Sequence, residues 1–316
     1  MANPAILVMG PTCSGKTALG VALAQALDGE IISVDSALVY QGMDIGAAKP
    51  SLAERGGVPH HLIDILPPTE NFSAGHFKTR AVNLIADIQQ RGKQPLLVGG
   101  TMLYFSALTQ GLAQLPPADP AIRARLEREL QEFGNHVMHE RLKAVDPAAA
   151  ARIHANDPQR VQRALEVYAI TGQPLSDYFS QQKKDEMPPF IKLIVAPEQR
   201  SALHAKIAAR FDQMLAQGLI AEVEALRQRG DLHPGLPSVR CVGYRQVWAY
   251  LDGEYDYPTM RDKAIAATRQ LAKRQFTWLR KEQNAAHFLS EAPDLNAQAL
   301  DYCRRQLLAH TAAPAC

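Results

Sequence analysis

Residues 10–17 read GPTCSGKT, with the apolar run AILVM before them and TALGVALAQAL after. A short apolar run suits a buried strand, and the segment that follows reads as a helix. Gly10, Gly15, Lys16 and Thr17 fill the pattern G-x-x-x-x-G-K-[ST]. Strand, loop and helix in that order are the context in which this pattern makes a phosphate-binding loop. Its glycines let successive backbone N–H groups converge on an anion, and the helix N-terminus adds a favourable dipole. Pro11, Thr12, Cys13 and Ser14 complete the loop. Lys16 is expected to supply a point charge, and Thr17 a hydroxyl placed for Mg2+. The motif calls for a phosphate but does not make that phosphate ATP's.

Three further runs resemble buried parallel strands: EIISVD ending at Asp35, PLLVGG ending at Gly100, and IKLIVAP at 191–197. In SAGHFKTRAVNLIADIQQRGK, the spacing of Phe77, Ala81, Leu84, Ile85 and Ile88 predicts a helix, with Ser73 as N-cap and Gly92 as stop. Strands alternating with helices predict an α/β fold, a P-loop NTPase-like parallel sheet flanked by helices that binds ligands outside the carboxyl ends of its strands. Asp35 and the Gly99-Gly100-Thr101 turn would share that rim with the P-loop.

Proline-rich QLPPADP at 114–120 and KKDEMPPF at 183–190 interrupt the alternation. The sequence between them is helical, with RARLEREL and RVQRALEVYAI its clearest amphipathic pieces. The expected organisation is a core of residues 1–115 and 190–316 with an all-helical insertion at 116–189. Beyond it, Leu203, Ile207, Phe211 and Leu215 mark an apolar helix face. In the last long helix, Ile265, Thr268, Leu271 and Trp278 are expected to be buried, with Arg269, Lys273, Arg274 and Arg280 on the other side.

The whole chain of 316 residues, 47% hydrophobic and 21% charged, is ordinary for a soluble globular protein. No signal peptide is expected ahead of the first strand and no run is long enough to cross a bilayer, so the expected location is cytoplasmic, without a membrane partner. Cys13, Cys241, Cys303 and Cys316 form no C-x-x-C pair, which suggests neither a zinc site nor a disulfide framework. A net charge of +2 does not announce a nucleic-acid binder; the placement of the basic residues matters more. No apolar stripe demands a partner subunit, and a monomer is the default.

A P-loop with a lid-like insert is the layout of small-molecule kinases, which need a Walker-B acid at a strand end. PLLVGG ends in glycines instead. Asp35 is the one acid at a strand end, and as a substrate anchor or base it is compatible with a kinase too.

GPTCSGKT, DSALVYQGMDIGAAKP, GGTMLY, DPQRVQRALEVYAITGQPLS, RFDQMLAQGLIAEVEAL, VRCVGYRQVWAYLDGE and AKRQFTWLRK together resemble the tRNA dimethylallyltransferases, in order from residue 10 to about 281. Met102 stands where that family usually has Gly. The chain lacks the zinc-finger extension of many eukaryotic members, so it looks bacterial in type. The resemblance implies transfer of a dimethylallyl group from dimethylallyl diphosphate to N6 of adenosine 37, in tRNAs reading codons that begin with U. It also implies that the P-loop and Arg210 hold the diphosphate, with Mg2+ at Thr17. Asp35, beside that site, is the candidate general base, because an exocyclic amine attacks poorly until a proton is removed. Thr101 is expected to hydrogen-bond the adenine or the base.

The tRNA anticodon stem-loop is the implied partner, its target base extruded from the stack. The contacts implied are Asp35, Ser36, Ala37, Leu38, Thr101, Arg123, Gln159, Arg160, Val161, Gln162, Arg163, Arg240, Cys241, Val242, Gly243, Tyr244 and Arg245. Asp157 as N-cap and Pro158 at the first helical position would start the helix bearing Arg160 and Arg163, both facing outward. Competing readings are an adenylate isopentenyltransferase acting on free AMP, ADP or ATP, a small-molecule kinase, and a non-catalytic RNA-binding P-loop protein. The helical insert and the 159–163 segment favour a macromolecular acceptor.

Overall fold

A computed structural model describes residues 3–181 and 189–312. In chain order the elements are β1 (Ile6–Met9), α1 (Lys16–Ala26), β2 (Gly29–Val34), β3 (His60–His61), α2 (Ala74–Gln90), β4 (Gln94–Gly99) and α3 (Met102–Thr109). Next come α4 (Pro120–Val145), α5 (Pro147–Arg152), α6 (Pro158–Thr171) and α7 (Leu175–Ser180). The chain continues through β5 (Ile191–Ala196), α8 (Arg200–Ala216), α9 (Leu219–Gln228), α10 (Tyr244–Leu251), α11 (Tyr257–Leu279), β6 (Ala285–Leu289) and α12 (Leu295–Ala312). By contacts it divides into two compact units, Met1–Thr109 with Met187–Cys316, and Gln110–Glu186. The sequence suggests 116–189 for the second; of its closing proline-rich marker, 183–188 lie outside the described residues.

In the first unit the strands form one parallel sheet in the order β3-β2-β4-β1-β5-β6. Alternate side chains feed opposite faces, as a strand's two-residue period requires. Leu7, Met9, Ile32, Val34 and Leu97 join one apolar cluster with Phe77 and Ile85 of α2 and Phe105 of α3. Ile6, Val8, Ile31, Leu96 and Val98 join the other, with Leu19 and Leu23 of α1 and Ala299 and Cys303 of α12. A sheet covered on both faces explains why its central strands are unbroken apolar runs. Ser73 caps α2 by accepting from the His76 amide at 3.1 Å. No helix among the described residues is long and apolar enough to cross a membrane.

Gly218, at φ 103°, separates α8 from α9, and on α8 Leu203, Ile207 and Phe211 are buried with Leu215 partly buried against the same core. Two expectations for the last long helix need correction. On α11 the core-facing residues are Met260, Ala264, Ile265, Ala272, Gln275 and Leu279. Thr268, Leu271 and Trp278 instead line a cavity together with Arg274, which was expected on the opposite side. An apolar face turned to a cavity and one turned to a core have the same sequence period.

The second unit packs Leu126, Met138, Leu142, Ala149, Val161, Ala164 and Val167 into its own core. α4 is interrupted at Gly134, where φ 77° and ψ 171° are not helical. Asp157 caps α6, accepting from the Arg160 amide at 3.2 Å, with Pro158 at the helix start. Arg163 does not face outward freely. Its guanidinium donates to Glu166 Oε2 and to the Pro116 carbonyl, both at 2.6 Å. Arg123 Nε donates to Glu166 Oε1 at 2.9 Å, and the Asp119 amide to the same oxygen at 3.0 Å. Burial alone would raise the Glu166 pKa, but the bonds from Arg163, Arg123 and the Asp119 amide outweigh it and hold the carboxyl below its ordinary value.

Glu166 is 0% exposed, and truncating it removes the acceptor of two guanidinium groups and an amide. Glu166→Ala is expected to cost about 1–3 kcal/mol in denaturant unfolding of this unit, the scale for losing charge-assisted hydrogen bonds to a buried acceptor when the remaining guanidinium groups can still reach water. Because the native carboxyl is depressed, the wild-type contribution is present above the ordinary carboxylate pKa and is lost as pH falls through the native value.

Candidate active site

Strand register brings the site together. Val34 of β2 pairs with Gly99 of β4, and Gly99 also pairs with Met9 of β1. The residues just past those three ends are Asp35, Gly100 and Gly10, so base candidate, turn and P-loop emerge along one line. The Val34 carbonyl accepts from the Gly100 and Thr101 amides at 3.2 and 3.1 Å, folding the turn back across the rim. Thr101 Oγ1 accepts from the Ser36 amide at 3.1 Å. Asp35 Oδ1 accepts from the Ala37 amide at 2.8 Å and the Leu38 amide at 3.4 Å. This turn fixes the carboxyl orientation through one oxygen.

A cavity of about 530 Å3 opens on this rim. Thr12, Cys13, Lys16, Thr17, Asp35, Ser36, Ala37, Leu38, Thr101, Arg210, Arg240, Cys241, Val242 and Gly243 line it. All are candidates from the sequence. Pro11 and Ser14 are buried within the loop, Gly10 behind it, and Gly15 stands exposed at φ 81° in the left-handed region that favours glycine. Ser14 Oγ is buried without a protein hydrogen-bond partner, as expected of a group inside an anion cradle.

Cation and apolar surface divide the cavity wall. Lys16 Nζ donates to the Pro11 carbonyl at 3.1 Å, and Arg210 Nη1 lies 3.7 Å from Cys13 Sγ. Burial lowers the Lys16 pKa to about 8; Arg210 adds to that, while Asp35 and Cys13 oppose it. Burial, reinforced by the Asp35 charge, pushes the Cys241 thiol up to about 12, so it stays neutral. Ile207, Phe211, Met214, Leu271 and Trp278 form the apolar part.

Other candidates lie elsewhere. Tyr244 is 2% exposed; its hydroxyl donates to Glu222 Oε1 at 2.7 Å and accepts from the Ala47 amide at 3.1 Å, so the ring belongs to the core. Arg245 is exposed on α10. In the second unit Gln159 and Arg160 are exposed, Val161 is buried, and Gln162 Nε2 donates to the Arg123 carbonyl at 3.1 Å. Arg123 and Arg163 share Glu166 as described.

Sequence reasoning missed Glu222, Arg274 and Gln275. Glu222 accepts from the Asp44, Ile45 and Gly46 amides at 3.0, 2.7 and 3.1 Å, and so pins the loop whose Gly46, Ala47 and Ala48 line the cavity. Nothing in a lone helical glutamate announces this role. For Arg274 and Gln275, a signal was present in the density of polar residues within AKRQFTWLRK.

A G-x-x-x-x-G-K-T loop at the carboxyl rim of a six-stranded parallel sheet defines a P-loop NTPase-like fold. The sequence model of the IPP transferase family matches residues 38–282. A tRNA dimethylallyltransferase of Methylococcus capsulatus is 54% identical over 306 residues, covering 96% of this chain and 98% of the relative. One of Nitrosococcus oceani is 56% identical over 297 residues, 94% and 95% of the two chains. The solved tRNA isopentenylpyrophosphate transferase of Bacillus halodurans superposes with a TM-score of 0.72 at 36% identity, over 98% of both chains. A eukaryotic dimethylallyltransferase described as acting on tRNA gives 0.82 at 27% identity, over 98% of this chain and 80% of its own. This chain belongs to the IPP transferase family.

The lowered Lys16 pKa has two consequences with opposite signs. Between about 8 and the ordinary lysine value the unfolded chain holds a proton the free folded chain has released, so folding stability rises with pH there. Anion binding needs the charged ammonium and weakens over the same range. Calorimetric titration with a diphosphate monoester is expected to show affinity falling as pH passes about 8. Lys16→Gln should bind more weakly and lose that dependence; parallel pH curves for the two proteins would remove Lys16 from the anion site.

Proposed function

We propose that this protein transfers a dimethylallyl group from dimethylallyl diphosphate to N6 of adenosine 37 in tRNAs reading codons that begin with U, giving N6-(dimethylallyl)adenosine and diphosphate. The observation that carries this reading is that the P-loop, Lys16 and Arg210, the Asp35 carboxylate and an apolar wall of Ile207, Phe211, Met214, Leu271 and Trp278 all line one cavity. An isoprenoid diphosphate needs all three: cations and amides for its charge, apolar surface for its tail, and a base for the incoming amine.

The N6 lone pair attacks the allylic carbon bonded to the diphosphate oxygen. A C–N bond forms, the C–O bond breaks, and its electron pair leaves on diphosphate. P-loop amides, Lys16 and Arg210 meet the charge that accumulates there. The N6 proton passes to Asp35, held in place by its turn with Ala37 and Leu38. Thr101 keeps its hydroxyl hydrogen for the adenine or for Asp35 while its oxygen accepts from Ser36. Arg240 and the 241–243 segment line the same cavity and, with residues 35–38 and Thr101, are candidates for RNA contact.

Mg2+ fits the residues present. The Thr17 hydroxyl is a hard oxygen donor lining the cavity, beside an anion cradle with an unpartnered Ser14 hydroxyl. Among the described residues no cluster of three His, Cys, Asp or Glu side chains forms a metal cage, which suits an ion held chiefly by ligand oxygens and water. When bound, the ion supplies charge neutralisation at the departing diphosphate.

Radiolabelled dimethylallyl diphosphate incubated with Mg2+ and either tRNA, AMP or ATP separates the readings. Label is expected in tRNA alone; label in AMP or ATP would favour the adenylate enzyme. Asp35→Asn is expected to lower kcat about 100- to 10,000-fold, the range for losing a general base. Its tRNA affinity, read by filter binding, should stay within about threefold; near-normal turnover in the variant would remove Asp35 from this role.

A further inference from the structure

Gln275 of α11 is 7% exposed, and both ends of its amide are engaged. Its Oε1 accepts from the Thr12 amide of the P-loop at 2.9 Å. Its Nε2 donates to the Gly100 carbonyl at 2.9 Å. The amide orientation is fixed by chemistry, since a backbone N–H only donates and a carbonyl only accepts. A Cβ built at Gly100 would come within 2.5 Å of Nε2, so this turn has room for the glutamine only because it carries no side chain.

We infer that Gln275 is a positioning residue that sets the distance between the leaving-group site and the base; the inference rests on the function proposed above. The connection runs through named bonds. Thr12 is tied to Gln275, and Gln275 to Gly100. Thr101 follows Gly100 and accepts from the Ser36 amide, next to Asp35. One side chain thus braces the donor cradle against the turn after β4, which is itself bonded through the Gly100 and Thr101 amides to the Val34 carbonyl at the strand end that carries Asp35. Neither Gly100 nor Thr12 can drift without breaking its bond to Gln275.

The residue type follows from the span. At this length only glutamine offers a donor and an acceptor side by side in neutral form. Glutamate would set a carboxylate against the Gly100 carbonyl, and lysine would set an ammonium against the Thr12 N–H. A second consequence concerns the anion. The Thr12 amide is occupied by Gln275, so the diphosphate is held by amides further along the loop, with Lys16 and Arg210.

The test is a kinetic comparison of wild type, Gln275→Met and Gln275→Glu, each with circular dichroism and melting to confirm a folded protein at the assay temperature. Gln275→Met keeps the volume and loses both bonds; Gln275→Glu keeps the Thr12 bond and loses the Gly100 bond. Both are expected to lower kcat about 30- to 100-fold, the scale of an ångström-sized misplacement of reacting groups. KM for the donor and Kd for tRNA should move by less than about threefold. In an Asp35→Asn background, Gln275→Met should lower kcat by less than about threefold, because the group it positions has gone. A kcat near wild type in Gln275→Met, a loss confined to donor KM, or a full additional loss in the Asp35→Asn background would each overturn the inference. Wild-type transfer of label to tRNA, run alongside, keeps failure of this inference distinct from failure of the proposed reaction.

Discussion

Val34, Gly99 and Met9 are held side by side at the end of the sheet by the hydrogen-bond register of three parallel strands. A slip of one residue in either pairing would turn alternate side chains to the wrong face of a sheet buried on both sides. The apolar clusters on the two faces therefore lock the register, and the register aligns Gly10, Gly100 and Asp35. The chemistry of the cavity is in this sense a by-product of core packing. Isoleucines and leucines far from any ligand determine where the carboxylate stands relative to the glycine loop.

The electrostatics of the cavity follow from the same arrangement. Lys16 sits in a dehydrated space where burial disfavours its charge, the Asp35 carboxylate only partly offsets that cost, and Arg210 adds to it. That arrangement costs stability without a ligand and becomes favourable when an anion arrives. Elsewhere the protein does the opposite. Lys49 reaches Asp44, Asp64 and the Tyr40 carbonyl, Arg91 grips Glu30, and Arg123 and Arg163 close on Glu166. Charges that serve the fold are matched, whereas those at the cavity are left for a ligand to complete.

Much of this was legible in the sequence because it depends on local pattern. The P-loop, the four long apolar strands, the caps at Ser73 and Asp157 and the placement of Asp35 are set by neighbours within a few residues. Features set by distant partners were not. β3 is only two residues, His60–His61, and pairs because β2 presents Ile31 and Ile32 to it. β6 is partly exposed and carries no apolar alternation distinctive enough to be seen. Thr268, Leu271 and Trp278 have the spacing of a buried stripe yet border a cavity, a distinction that only the shape of the facing surface makes. Arg163 reads as a solvated cation because Glu166, though three residues away, reveals its burial only when α4 packs against α6. Glu222 and Gln275 act on loops more than 170 residues distant in the chain, and no window of sequence contains both halves of either interaction.

The order of strands also bears on how the protein is made. β1 lies between β4 and β5, but β5 is synthesised only after the whole of Gln110–Glu186. While the ribosome produces that helical unit, one side of a wholly apolar strand has every backbone donor and acceptor unpaired. Such an edge invites pairing with another nascent chain. A helical unit with its own core can fold during that interval without competing for the waiting edge, since it contributes no strand among its described residues. An insertion of β-structure at the same place would offer the edge a wrong partner.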